Sequence, residues 1–299
     1  MLGFKEKQEL ELFEAQQYLE EKLIMFNNGK KYGQIVFMAG GAGSGKGFAQ
    51  ANFMESDKFK IRDVDAWKLA FLELAKVKEK HKELRGLDLR KGADVFKLHA
   101  YVAKFKIKSK TLDALLTDLK PDRLPNILFD ITAKNVSDLT KVVPKLIEVG
   151  YDPKDIHLEW VLTNYHVAVK NNADRERVVP DDILLQTHEG AARTMWSLVK
   201  KGKLPSGMNG RFDIILNNRK NTILYVDSDG KPIEGTGTMR WDAKKKKMVG
   251  KVVVKDFTYM QLKKEGKPMA GEKAMQQQLH QWVSDNVPKT ALTTKDMDI

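Results

Sequence analysis

The chain of 299 residues contains no cysteine. Disulfides and thiolate-bound zinc are therefore excluded, and the composition fits a reducing compartment. Long hydrophobic runs are missing too: no apolar stretch approaches the roughly 18 residues of a membrane span, so no membrane partner is expected. Residues 1–21 are rich in Glu and Lys and lack the apolar core of a secretory signal, so a cytoplasmic protein is expected. Acids are in deficit, with 40 Asp and Glu against 52 Lys and Arg, which leaves a net charge of +12. Such an excess favours polyanionic partners, DNA among them; the alternative is a solvated basic surface that aids solubility. There is no internal repeat.

What is present is a glycine loop. Gln34-Ile-Val-Phe-Met-Ala-Gly-Gly-Ala-Gly-Ser-Gly-Lys-Gly47 is an apolar strand run that breaks into glycines and ends in Gly-Lys-Gly. Gly40, Gly45 and Lys46 satisfy G-x-x-x-x-G-K, the spacing of a phosphate-binding loop. Glycines let successive backbone N–H groups converge on a phosphate, and the helix that follows adds a positive dipole end. Lys46 is placed to reach the β- and γ-phosphates of a nucleoside triphosphate. Ile35–Met38 reads as a buried strand and Gly47–Met54 as a helix, so strand, loop and helix follow in the required order. A glycine-rich turn with no ligand is the plain alternative.

The rest of the chain alternates. Phe4–Phe26 reads as an amphipathic helix, closed by Asn27-Asn-Gly29. Strands are expected at Phe59–Val64, Asn126–Asp130, Ile156–Leu162 and Phe212–Leu216. Several charged helices are expected over about 69–120. A helix over Ser137–Val149 is capped by Ser137 or Asn135, followed by Gly150, and open to division at Pro144. Residues 171–179 read as a polar loop, and Pro180-Asp-Asp182 opens a helix towards Lys200. Thr222–Val226, a turn at Asp227–Gly230, and Gly250–Phe257 read as β-hairpin material; Lys273–Val283 reads as a terminal helix. Strands alternating with helices imply an α/β fold with a mostly parallel sheet sandwiched by helices. A boundary near 218 would divide a domain over 1–217 from a small β-hairpin and helix extension over 218–299.

Three elements carry a resemblance. Gly40-Gly-Ala-Gly-Ser-Gly-Lys-Gly47 resembles the loop of adenylate kinases. Asp65-Ala-Trp-Lys68 resembles the Asp-x-aromatic-basic element after the second strand of polynucleotide kinases and zeta-toxin-like kinases. Asp174-Arg-Glu-Arg-Val-Val-Pro-Asp-Asp182, with Thr187-His-Glu-Gly-Ala-Ala-Arg193, is similar to the lid and following helix of zeta-toxin-like kinases. The resemblance spans about 33–217 and implies a P-loop kinase fold with a helical acceptor insert over 69–120 and a lid over 171–180.

What the resemblance implies for the site follows residue by residue. Gly41, Ala42, Gly43, Ser44, Gly45, Lys46, Gly47 and Phe48 would hold ATP. Asp65 would orient the acceptor hydroxyl or act as its base, and Asp130 would support Mg²⁺ through water. Arg175, Arg177 and Arg193 would clamp phosphates. Asp65 also suits a helix N-cap, Asp130 a strand end, and the arginines a solvated surface. The chain departs from the pattern at Gly47, which has no hydroxyl for Mg²⁺; Phe48 stands where adenylate kinases carry Thr. Trp67 reads as a core residue rather than a base-stacking platform, and His99 and His188 read as structural or exposed. The implied activity is phosphoryl transfer from ATP to a hydroxyl of nucleic acid. The acceptor is either a polynucleotide 5′-hydroxyl or a 5-hydroxymethyl pyrimidine, as in the kinases of phage DNA modification that the family includes. A small-molecule kinase and a non-catalytic nucleotide-dependent nucleic-acid-binding module remain as alternatives. The tetralysine Lys244–Lys247, in company with Trp241, keeps a nucleic-acid contact open.

Overall fold

The computed structural model describes residues 32–54, 58–62, 65–117, 119–175, 177–242, 247–271 and 273–290. The helix expected over Phe4–Phe26 and residues 244–246 of the lysine run lie outside them.

Seven strands form one sheet in the order β2-β3-β1-β4-β5-β9-β6. Five are parallel: β1 (Ile35–Ala39), β2 (Lys60–Arg62), β3 (Ile127–Asp130), β4 (Ile156–Leu162) and β5 (Phe212–Leu216). Two antiparallel additions, the short β6 (Thr222–Leu224) and the longer β9 (Val254–Lys263), extend it beyond β5, with Ile214 opposite Met260. A separate ribbon pairs β7 (Glu234–Asp242) with β8 (Lys247–Val252). The segment after 217 thus supplies a hairpin and also the far edge of the main sheet. The α/β fold is the one expected, a mostly parallel sheet with helices on both faces.

The strand sequences explain the layering. Side chains alternate across a strand, and both faces of β1 are buried, as in a parallel sheet covered by helices. Ile35 and Phe37 enter one core with Phe129, Leu158, Trp160 and Ile214. Helices α4 (Ile107–Thr117), α6 (Val143–Val149), α8 (Asp181–Lys201) and α9 (Lys273–Asn286) cover that face with Leu112, Leu146, Met195 and Val283. Val36 and Met38 enter the other core with Leu128, Ile215 and Ala49 of α1 (Lys46–Asn52). There Phe53 stacks on Phe257 of β9, ring centroids 4.2 Å apart. Each fully buried side chain of this size contributes about 1.5–3 kcal/mol.

The insert has a third core of its own. Helices α2 (Asp65–Val77) and α3 (Gly92–Lys104), with a short 3₁₀ segment at Glu79–Leu84, enclose Phe71, Ala75, Leu84, Leu98, Tyr101 and Val102. His81 Nδ1 and the Tyr101 hydroxyl share a hydrogen bond of 2.8 Å inside it.

Several local expectations are corrected. The second strand is only three residues long. The helix over 137–149 is two pieces, α5 (Ser137–Thr140) and α6, because Pro144 sits in the first turn of α6, where its missing N–H costs nothing. Neither Ser137 nor Asn135 caps α5; Val136 holds that position with no side-chain hydrogen bond. Gly150 does end α6, at φ 114. The loop expected from 171 begins later, because α7 (Tyr165–Ala173) is capped by Asn164, whose side chain accepts from His166 N–H, and runs on to Ala173.

Candidate functional site

Parallel strands put their C-terminal ends on one edge, and ligands bind where the strand order reverses. Here β1 lies between β3 and β4, so the loop after β1 sits at that reversal. A cleft of about 1190 Å³ opens there.

The glycine loop forms its floor, and its shape is imposed by side chains from four other segments. Lys46 Nζ donates to Gly40 O at 2.8 Å. His188 Nε2 donates to Ala42 O at 2.7 Å. Asn171 Nδ2 donates to Gly43 O at 3.1 Å. Thr163 Oγ1 and Asn217 Nδ2 both donate to Ser44 O, at 2.7 and 2.9 Å. With the carbonyls tied back, the planar peptides turn the Gly43 and Gly45 N–H groups the other way, while Ala42 N–H donates to Thr187 Oγ1 and Ser44 N–H to Gly41 O, each at 3.2 Å. Gly43 and Gly45 sit at φ 74 and 82, in the left-handed region that glycine tolerates best. A Cβ on Gly45 would lie 2.2 Å from Asn217 Nδ2, and one on Gly41 would lie 2.4 Å from the His188 ring. His188 is buried, and burial lowers its pKa, as does the nearby Lys46 charge, so the ring is neutral with its proton on Nε2.

Above the floor stand the charged groups. Lys46 Nζ is 3.5 Å from Asp130 Oδ1 at the end of β3. Asp65 opens α2; Lys68 lies 2.7 Å from its Oδ1, and Arg177 donates to its Oδ2. Burial pushes the Asp65 carboxyl up, but the hydrogen bond and charge of Arg177, joined by Lys68, outweigh it and hold the group well below the usual carboxylate range. Asp65 is therefore ionised at every working pH. Burial and the Lys68 charge push His99 down, so it faces the same cluster as a neutral ring.

Arg177 comes from the loop between α7 and α8. Asn172 pinches that loop shut, accepting from Val179 N at 2.9 Å and donating to Val179 O at 2.8 Å. The loop is bonded to the insert through Val178 N to Leu89 O, 3.0 Å.

Gly41, Ala42, Gly43, Ser44, Gly45, Lys46, Gly47, Phe48, Asp65, Asp130, Arg175 and Arg177 all line the one cleft. Arg193 does not. It lies six residues beyond Thr187, which does line it, so it sits about 9 Å further along α8 and roughly 120° around the helix. Sequence reading missed the basic wall: Arg62, Lys68, Lys106, Lys108 and Lys134 also face the cleft. The signals in the sequence are Lys68, three residues after Asp65 on the same helix face, and the dense lysines over 104–110, which include Lys106 and Lys108. Lys106 adopts φ 49 at the α3–α4 corner, a conformation costly for a side chain bearing Cβ, and such strain gathers at functional sites.

The residues suit a triphosphate: a concave run of backbone N–H groups with one lysine at its rim. Magnesium needs few protein ligands when phosphates and water supply the rest. Asp130 and the buried Ser44 hydroxyl, which has no hydrogen-bond partner, are the oxygens nearest that role. Among the described residues no group of three or more His, Cys, Asp or Glu could hold a metal alone, and no helix is long and apolar enough to cross a membrane.

Similar solved structures include one from the PezAT chromosomal toxin-antitoxin system of Streptococcus pneumoniae (15% identity, 70% of this chain and 75% of that one, TM-score 0.40). Another is deoxyadenosine kinase from M. mycoides with dCMP and dCDP bound (14%, 60% and 89%, TM-score 0.33). A third is the AvrRxo1-ORF1:AvrRxo1-ORF2 complex with sulphate ions (9%, 97% and 82%, TM-score 0.46). No curated protein matches the chain. The family model described as zeta toxin matches residues 17–228. With strand order, loop and family model in agreement over most of its length, the chain belongs to the zeta toxin family and is a zeta-toxin-like P-loop kinase.

Proposed function

We propose that the cleft transfers the γ-phosphoryl group of ATP to a hydroxyl of an acceptor that itself carries phosphate. The observation that supports this reading best is the facing of Lys46 and Asp130 across one cleft from an ionised Asp65. The glycine loop and Lys46 hold the β- and γ-phosphates. Asp65 accepts a hydrogen bond from the acceptor hydroxyl, lines its oxygen up with the γ-phosphorus, and takes its proton late, as the new O–P bond forms and the bond to ADP breaks. Arg175 and Arg177 neutralise charge on the moving phosphoryl group; such an arginine is worth about 10³ to 10⁵ in rate. Magnesium, held by Asp130 and the phosphates, supplies further charge neutralisation when bound.

The acceptor is read from the basic wall. Arg62, Lys68, Lys106, Lys108 and Lys134 exceed what one triphosphate needs, and the cleft volume suits two nucleotide-sized ligands together. A nucleotide-type acceptor fits this enclosure. A hydroxyl of DNA, on a 5-hydroxymethyl pyrimidine or at a 5′ end, is the second reading. It is favoured by the net charge of +12 and by Lys106 and Lys108, which line the cleft. Within a duplex such a base would have to be flipped out.

The test is γ-labelled ATP offered with nucleotides, nucleotide sugars, RNA, and DNA with and without 5-hydroxymethyl pyrimidines. Label should pass to one class with wild type and fall by about 10² to 10⁴ with Asp65→Asn. Full transfer by that variant would reduce Asp65 to a helix cap. Label only on DNA, with affinity falling steeply with salt, would favour the second reading. No label on any acceptor would remove the kinase reading.

A further inference from the structure

The carbonyl of Ser44 is held by Thr163 and Asn217, and neither stands alone. Both lie where a central strand ends: Thr163 after β4, Asn217 after β5. Thr163 Oγ1 also lies 3.1 Å from Asn217 O, so its single proton is shared between that carbonyl and Ser44 O, which ties the two ends together. The next residue of each segment then reaches the C-terminal helix. Asn218 Nδ2 donates to Asn286 Oδ1 at 2.8 Å, and Asn218 Oδ1 accepts from Asn164 N at 2.8 Å. Asn164 Nδ2 in turn donates to Asp285 O at 3.2 Å. Asn286 is oriented by its own donation to Trp282 O at 2.7 Å. Thr163, Asn218 and Asn286 are 1%, 6% and 7% exposed, so water does not replace these bonds easily.

We infer that the C-terminal helix α9 is part of the phosphate site, with Asn286 and Asn218 acting as positioning residues that fix Asn217 and Thr163 against the Ser44 carbonyl. The physical link is the 44–45 peptide. Two donors hold its oxygen on the strand side, so its planar geometry turns Gly45 N–H towards the cleft. Asn217 fills the space beside Gly45, which bars any larger residue there. If the asparagine ladder slackens, the oxygen swings free and that N–H no longer points at a fixed place. The loss falls on phosphate binding, because a preorganised donor spends nothing on reorientation. Apolar contacts of Leu279 and Val283 dock the helix on the sheet and are separate from this polar end.

The inference rests on the triphosphate reading of the loop, and nucleotide binding separates the two without any acceptor. The full chain is titrated with a fluorescent ATP analogue, and its unliganded melting temperature is measured in parallel. Asn286→Ala removes the acceptor for Asn218; Asn286→Asp keeps it. Asn217→Asp keeps the shape but cannot donate to Ser44. We expect Asn286→Ala and Asn217→Asp to weaken nucleotide binding about tenfold, from the loss of about one buried hydrogen bond, and Asn286→Asp, which keeps the acceptor but gives up the donation to Trp282 O, to weaken it less. Affinity equal to wild type in both weakened variants overturns the inference while leaving the loop assignment standing. So does equal weakening by Asn286→Asp and Asn286→Ala. No binding by wild type overturns the loop assignment and the inference with it.

Discussion

Glu159→Gln isolates one buried proton. Glu159 on β4 and Asp213 on β5 are direct partners across two parallel strands, and both are fully buried. Arg211 donates to Asp213, yet neither oxygen of Glu159 finds a donor. Two carboxylates and one guanidinium leave an excess negative charge in a dry place, and a single proton shared by the acids relieves it. Burial, then the charge of Asp213, raises the Glu159 pKa well above 4.5, with Arg211 opposing. Asp213 is pushed up to about 6 by burial, against the pull of Arg211. His157, the next polar group on that face, is driven down to about 3 by burial and by Arg211, and stays neutral. Its Nδ1 accepts from Arg211 N–H and its Nε2 donates to Gln34, so it offers Glu159 no charge. Glu265 adds weakly to the upward shift of both acids, and Tyr259 faces Arg211.

The sign follows from linkage. A carboxyl raised in the folded state keeps a proton that the unfolded chain releases, so its stability is complete below the unfolded pKa and is lost as pH rises through the folded one. One such proton costs about 1.4 kcal/mol per pH unit. Glutamine keeps the size and gives Asp213 an N–H in place of the shared proton, without titrating. Denaturant unfolding of wild type and Glu159→Gln at pH 5.5, 6.5 and 7.5 should show the variant gaining on wild type as pH rises, by at most about 1.4 kcal/mol per unit while the proton stays bound. Titrations remote from the pair cancel in the difference, while that of Asp213 belongs to the shared proton and is read with it. A difference that does not change with pH would refute the shared proton.

Two glycines of the loop should respond in opposite ways. Gly45→Ala places a Cβ at φ 82 and 2.2 Å from Asn217, so nucleotide affinity should fall at least tenfold, with a stability loss of about 1–3 kcal/mol read from thermal unfolding. Gly47→Ser meets nothing within 4 Å and needs no positive φ. It should fold at least as stably, since Gly lowers helix stability by up to about 1 kcal/mol, and its activity should saturate at lower Mg²⁺, because its hydroxyl supplies the ligand that wild type lacks.

Local features were legible in the sequence. The strand, glycine loop and helix around Lys46 lie within a few residues of one another, and their apolar spacing and glycines leave little choice. Asp65, Asp130 and the 175–177 arginines were legible as a set, and the fold gathers them at one edge. Arg193, expected from the resemblance to clamp phosphates, is not among the residues lining the cleft, because helix register decides which side chains of α8 face it. The end of α7 was misread because its polar residues, Asn171 and Asn172, look like loop chemistry while serving the phosphate loop and the lid. Long-range partners left no trace. Glu159 sits in Ile156–Leu162, whose apolar neighbours mark a buried strand, but nothing local says that Asp213 will lie beside it. Asn217 is 173 residues from the carbonyl it holds. The departure of β9 from a simple hairpin to the edge of β5 depends on a free edge that only the assembled sheet creates.

The position of β1 between β3 and β4 also sets an order of events during synthesis. The strand that launches the glycine loop is complete at Ala39, but its second neighbour ends only at Leu162. At about 5–20 residues per second, on the order of ten seconds pass before that strand can be enclosed on both sides. Through that interval at least one edge of an apolar strand stays unpaired on the ribosome, even once β3 is complete at Asp130, and such an edge is a hazard for aggregation.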